Sequence, residues 1–114
     1  MLFISDVHVS TNEIMNINTN QIFEAIINEL QVINDEYVIF LGDNVQYASE
    51  KEYDLFFSYL TKLKDKKIYI LSGNHDSKER LEKYAQKNKV IFCLDNDFAI
   101  DNNQYYFLDT VISA

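Results

Sequence analysis

Three short apolar runs in this chain each stop at a cluster of polar residues. Leu2 to Ile4 runs into Ser5-Asp6-Val7-His8, Val38 to Leu41 into Gly42-Asp43-Asn44, and Ile68 to Leu71 into Ser72-Gly73-Asn74-His75-Asp76. The runs predict strands at Met1 to Ser5, Tyr37 to Leu41 and Lys67 to Leu71; the second is apolar throughout, as a strand covered on both faces should be. Between them, apolar residues recur at helical spacing. Ile22, Phe23, Ile26, Ile27 and Leu30 form one stripe, with Thr19 or Asn20 as its cap. Tyr53, Phe56, Phe57, Leu60 and Leu63 form a second, opened by Ser49 and Glu52 at capping-box spacing. Leu81, Tyr84 and Ala85 form a third, capped by Asp76 or Ser77. The aromatics of the second stripe read as core rather than as a base-stacking platform. Val90 to Leu94 predicts a fourth strand. Asp97 to Ile100 and Gln104 to Leu108, joined by Asp101-Asn102-Asn103, predict a hairpin, because Asn and Asp tolerate the positive φ of its turn. Val9 to Asn20 reads as an Asn-rich loop over the polar clusters.

The order β-α-β-α-β-α-β plus a hairpin implies an α/β sheet, parallel at first, with helices packed on it. The three polar clusters then share the edge formed by the C-terminal ends of the strands, where such sheets bind ligands. At 114 residues the chain is read as a single domain, 1–114. Its formal charge of −8 disfavours nucleic-acid backbones and anionic membranes. A phosphate substrate remains compatible, because bound divalent cations would reverse the local sign. No run is long enough to span a bilayer, and Met1 to Ile4 is too short for a secretory signal. Cys93, the single cysteine, is expected to be a buried strand thiol. A cytoplasmic setting follows as the expectation.

The clusters carry metal-site chemistry. In an extended segment Asp6 and His8 would point to the same side, so that a carboxylate and an imidazole grip one cation. Asp43 ends the next strand, and its two oxygens could bridge two metals; Gly42 allows close backbone approach. Asn74 offers an amide oxygen to a second cation. Carboxylate, imidazole and amide suit Mn²⁺, Fe or Zn²⁺ better than Ca²⁺. Two such ions about 3.5–4 Å apart would lower the pKa of a bridging water and clamp an in-line displacement at phosphorus. His75 beside them could protonate a leaving alkoxide or stabilise phosphoryl charge. Both histidines of the chain fall within these clusters.

The series Asp6-x-His8, Gly42-Asp43-Asn44 and Gly73-Asn74-His75-Asp76 resembles the N-terminal half of the calcineurin-like metallophosphoesterase family. The resemblance implies an αββα sandwich and hydrolysis of phosphomonoesters or phosphodiesters by metal-bound hydroxide. It implies that Asp6 and His8 bind the first metal, Asp43 bridges, Asn74 binds the second and His75 is the catalytic histidine. Phe107-Leu108-Asp109-Thr110 resembles a strand of the cyclic-nucleotide-phosphodiesterase-like branch, which makes cyclic nucleotides one substrate class to expect. The Asp-Arg-Gly extension of the family's protein-phosphatase branch is replaced by Val45-Gln46-Tyr47.

The family's further lone His and Gly-His-x-His motif have no counterpart after His75. The expectation is therefore an incomplete copy of the sandwich and weak metal binding by these residues alone. Two other readings compete with the hydrolase. A phosphoesterase fold that has lost ligands can serve as a protein-interaction scaffold, although every ligand of the first half is retained. A DNA-repair nuclease of the same family is disfavoured by the acidic charge and the lack of a basic or aromatic stripe.

Overall fold

A computed structural model describes residues 1–10, 19–73, 75–93 and 97–106. Four parallel strands run in the order β1 (Leu2–Ile4), β2 (Tyr37–Phe40), β3 (Lys67–Ile70) and β4 (Ile91–Phe92). The register aligns Phe3 with Ile39 and Ile39 with Tyr69. The crossovers are α1 (Thr19–Val32), α2 (Glu50–Leu60) and α3 (Lys78–Lys87). An antiparallel hairpin, β5 (Asp97–Ile100) and β6 (Asn103–Tyr106), forms a separate two-stranded sheet. Its turn residues Asp101 and Asn102 have φ of 51° and 68°, the left-handed geometry expected of them.

Strand alternation divides the interior in two. Val38, Phe40, Ile68 and Ile70 face one way, against Phe23, Ile27 and Leu30 of α1, the α2 residues Tyr53, Phe56, Phe57 and Leu60, and Leu81 and Ala85 of α3. Ile39, Leu71 and Cys93 face the other way, against Phe98 and Ile100 of the hairpin, with Tyr37, Tyr69 and Tyr105 packed around them. All three helices thus cover one face, as adjacent right-handed crossovers in a 1-2-3-4 order require. The hairpin sheet covers the other face. This helix, sheet, sheet layering is the part of an αββα sandwich present here.

α2 opens with the expected capping box between Ser49 and Glu52. Ser77, not Asp76, caps α3, its hydroxyl accepting from Arg80 N. Two expectations fail for α1. Ile22 is 53% exposed, so the buried stripe narrows to Phe23, Ile27 and Leu30. Thr19 and Asn20 lie inside the helix and turn their side chains away from its first turn. Thr19 Oγ1 donates to the His8 carbonyl at 2.8 Å, and Asn20 exchanges hydrogen bonds with the Ser10 backbone. They fasten α1 to the loop after β1. Leu94 and Phe107 to Thr110, expected at strand ends, lie outside the described residues. Among the described residues no helix is long and apolar enough to cross a membrane.

Candidate metal centre

The parallel ladder continues beyond the strands into the loops that carry the polar residues. Asp6 N donates to Gly42 O (3.2 Å), His8 N to Asp43 O (3.0 Å), Val9 N to Asn44 O (3.0 Å) and Gln46 N to Val9 O (3.0 Å). Val9 and Val45, both fully buried, close it as an isolated parallel bridge. The loop is not extended, however. Asp6, His8 and Asp43 have φ of 56°, 49° and 49°. Asp6 and His8 therefore converge through left-handed turns and not by the two-residue alternation of a strand. Asp, Asn and His are the non-glycine residues that adopt this region most readily, and backbone strain of this kind clusters at functional sites.

One ligand atom each from Asp6, His8 and Asp43 lies within 4.8 Å of the others. His8 Nε2 is 3.7 Å from Asp6 Oδ1. His8 Nδ1 is buried and has no hydrogen-bond partner among the described residues. One imidazole nitrogen and two carboxylate oxygens this close together are a donor set that fits a divalent cation. Asp43 Oδ1 accepts from His75 N at 2.8 Å, which leaves its second oxygen for the cluster. Asn74 lies outside the described residues.

The only two glycines of the chain meet here. Gly42, at φ 126°, lies against Gly73: a Cβ on Gly42 would come within 2.9 Å of Gly73 Cα. A Cβ on Gly73 would come within 2.2 Å of Asp43 N and 2.6 Å of Asp43 Oδ1. Only hydrogen at both α-carbons lets the second and third loops touch.

His75 is exposed, and its ring stands edge-on to that of His8 with centroids 5.0 Å apart. Its Nδ1 lies 2.9 Å from the Gln46 carbonyl. A carbonyl only accepts, so Nδ1 carries the proton and Nε2 is left for the pocket. Asp76 does structural work behind it. Its carboxylate accepts from Gly73 N (2.8 Å), Asn44 Nδ2 (2.9 Å), Asn44 N (3.2 Å) and Tyr53 OH (3.3 Å). Burial pushes the Asp76 carboxyl above the usual range, against the pull of the Gly73 and Asn44 backbone donors. Burial also pushes the Tyr53 hydroxyl up, and Asp76 nearby adds to it. Cys93 is buried in the hairpin-side core, and desolvation pushes its thiol up to about 11. That removes it as a nucleophile at neutral pH.

Three participants escaped sequence reasoning. The Gln46 carbonyl is main chain and leaves no mark in the sequence. Glu52 was legible as a capping residue but not as one that is 1% exposed. Asn44, fully buried, ties the second loop to the third through Leu71 O and Asp76.

A model of the calcineurin-like phosphoesterase family matches residues 1–112. A probable glycerophosphodiester phosphodiesterase GpdQ of Arcobacter nitrofigilis is 30% identical over 108 residues, covering 85% of this chain and 39% of that protein. The 3′,5′-cyclic adenosine monophosphate phosphodiesterase CpdA of Haemophilus influenzae is 29% identical over 92 residues, covering 76% of this chain and 33% of that protein. The chain thus spans between a third and two-fifths of the length of these relatives.

Proposed function

The chain belongs to the calcineurin-like phosphoesterase family, and from that premise we propose that it carries the first part of a dinuclear metal site that hydrolyses phosphodiesters. One observation carries the reading. Ligand atoms of Asp6, His8 and Asp43 converge within 4.8 Å, with the His75 ring at their side.

In this reading 1–114 is one phosphoesterase domain unit. Asp6, His8 and Asp43 hold one cation, and Asp43 with Asn74 reaches a second; Mn²⁺, Fe and Zn²⁺ suit these donors. Bound cations supply Lewis acidity toward a phosphoryl oxygen and water, and they offset the acidity of a chain whose formal charge is −8. His75 supplies the mobile proton. With Nδ1–H tied to Gln46 O, Nε2 faces the pocket; in the imidazolium form it would give its proton to the leaving oxygen or donate to the phosphoryl oxygens, returning the ring to the neutral Nδ1–H tautomer. The named relatives act on a glycerophosphodiester and on a cyclic nucleotide, which supports a small phosphodiester as substrate. The buried free thiol of Cys93 fits a cytoplasmic setting.

The test separates holding metal from moving protons. Calorimetric titration with Mn²⁺ should lose its binding signal in Asp43→Asn and keep it in His75→Ala. In a longer chain that also carries the family's downstream His motifs, hydrolysis of a chromogenic phosphodiester should fall by about 10²–10⁴ in His75→Ala. Equal loss of metal from His75→Ala would reassign that residue as a ligand.

An apolar furrow along β1 and α1, lined by Leu2, Phe3, Ile4, Ile22, Ala25 and Ile26, favours a second reading. A non-enzymatic protein-interaction scaffold on the same fold would use such a surface. Mn²⁺ binding at millimolar concentration that survives Asp43→Asn unchanged would support that reading over the first.

A further inference from the structure

Glu52 is buried at 1% exposure in the first turn of α2, and among the described residues no cation pairs with it. One carboxyl oxygen, Oε1, accepts from Ser49 N, Ser49 Oγ and Tyr47 N, each at 3.0 Å. The other, Oε2, is buried with no hydrogen-bond partner among the described residues. A capping box asks of its acid only a bond back to the N–H of the cap residue. Burying a carboxyl with an unsatisfied oxygen is costly, and the cap alone does not account for it.

The bond that lies outside the cap is the informative one. Tyr47 N and Gln46 O are the two ends of one planar peptide unit. Glu52 therefore grips the N–H end of the peptide whose carbonyl end accepts from His75 Nδ1. The chain of contacts runs from carboxyl to peptide to imidazole. Each bond polarises the next, because an acceptor pulling on the N–H proton pushes density into the peptide and strengthens its carbonyl as an acceptor.

We infer that Glu52 is a positioning residue for His75, fixing its ring and its Nδ1–H tautomer through the Gln46–Tyr47 peptide. The inference rests on the reading of His75 given above and deepens it. The neighbouring Tyr53 braces the opposite flank, its hydroxyl accepting from Ser77 N at 2.9 Å and donating to Asp76. Consecutive buried residues of one helical turn thus hold the loops on both sides of the histidine. Glu52 does not touch the pocket itself; it acts through the peptide.

The experiment reads the ring and not turnover, so failure of Glu52 to position His75 and failure of His75 to catalyse give different results. Nitrogen-15 correlation spectra of the imidazoles, recorded on the metal-free chain, report which ring nitrogen carries the proton. The unaltered chain should show His75 protonated at Nδ1. Glu52→Ala should lose that signature to a mixture of tautomers, and Glu52→Gln, whose amide oxygen still accepts, should restore it. Ser49→Ala is the control: it weakens the cap but leaves Tyr47 N on Glu52, so it should leave His75 unchanged. If Glu52→Ala does not fold, Glu52→Asp keeps an acid in the helix turn while withdrawing it from Tyr47, and should show the same loss. An unchanged His75 in a folded Glu52→Ala or Glu52→Asp chain overturns the inference. So does a Ser49→Ala chain that perturbs His75 equally, because capping would then explain the whole effect.

Discussion

The loop after β1 hangs on main-chain bonds, from Asp6 N, His8 N and Val9 N to the carbonyls of Gly42, Asp43 and Asn44. The loop after β3 is fastened through side chains, chiefly Asp76, which gathers Gly73 N, both Asn44 donors and Tyr53 OH, with Asp43 accepting from His75 N. The first arrangement leaves its side chains at liberty to serve the pocket; the Asp6 side chain is 65% exposed. The second commits a half-buried acid to architecture so that the residue before it can face outward. Function and fastening are separated by position in one loop and by chemical group in the other. Main-chain fastening should tolerate side-chain change, and side-chain fastening should not.

The largest expected effect removes the contact both loops share. Gly73→Ala puts a Cβ 2.2 Å from Asp43 N, where backbone must move. A destabilisation of about 3 kcal/mol is expected from overpacking of this kind, read as a lower urea midpoint at unchanged slope. A mild effect would mean that the second and third loops can part without unfolding the sheet. Next comes Asp76→Asn, which keeps the volume but sets an amide against donors. Half-buried hydrogen bonds spoiled this way should lower stability by about 2 kcal/mol in the same assay. The smallest effect sharpens the contrast: Asp6→Gly should stay within about 0.5 kcal/mol of the unaltered chain. Relief of the left-handed backbone there offsets the greater freedom of the unfolded glycine. The same variant should lose Mn²⁺ binding in calorimetry. If Asp6→Gly destabilised as much as Asp76→Asn, the first loop would depend on its side chains after all.

Much of this was legible in the sequence because it is local. Apolar runs ending in Asp-Val-His, Gly-Asp-Asn and Gly-Asn-His-Asp marked the strand tips, and Ser49 with Glu52 marked the start of α2. The Asp101-Asn102 turn followed from the φ preferences of those residues. What escaped depends on partners distant in sequence. Ile22 fits the helical stripe by spacing but faces away from the sheet. Thr19 has the chemistry of a cap, yet the His8 carbonyl is its partner. The alternation argument for Asp6 and His8 gave the right convergence by the wrong route, because backbone hand is not written in residue type. Glu52 carried a second role that no local pattern encodes.

The abutting glycines also bear on how the sheet assembles. β2 and β3 present apolar residues to both sides, so sliding β3 by one position would exchange Ile68 and Ile70 for Tyr69 and Leu71 with little penalty from polarity. Such a slip would bring Ser72 or Asn74 opposite Gly42 in place of Gly73. Either residue carries a Cβ into a gap that admits only hydrogen. The gap between the two glycines therefore penalises a shifted register by collision, in a sheet whose greasy surfaces would otherwise accept it.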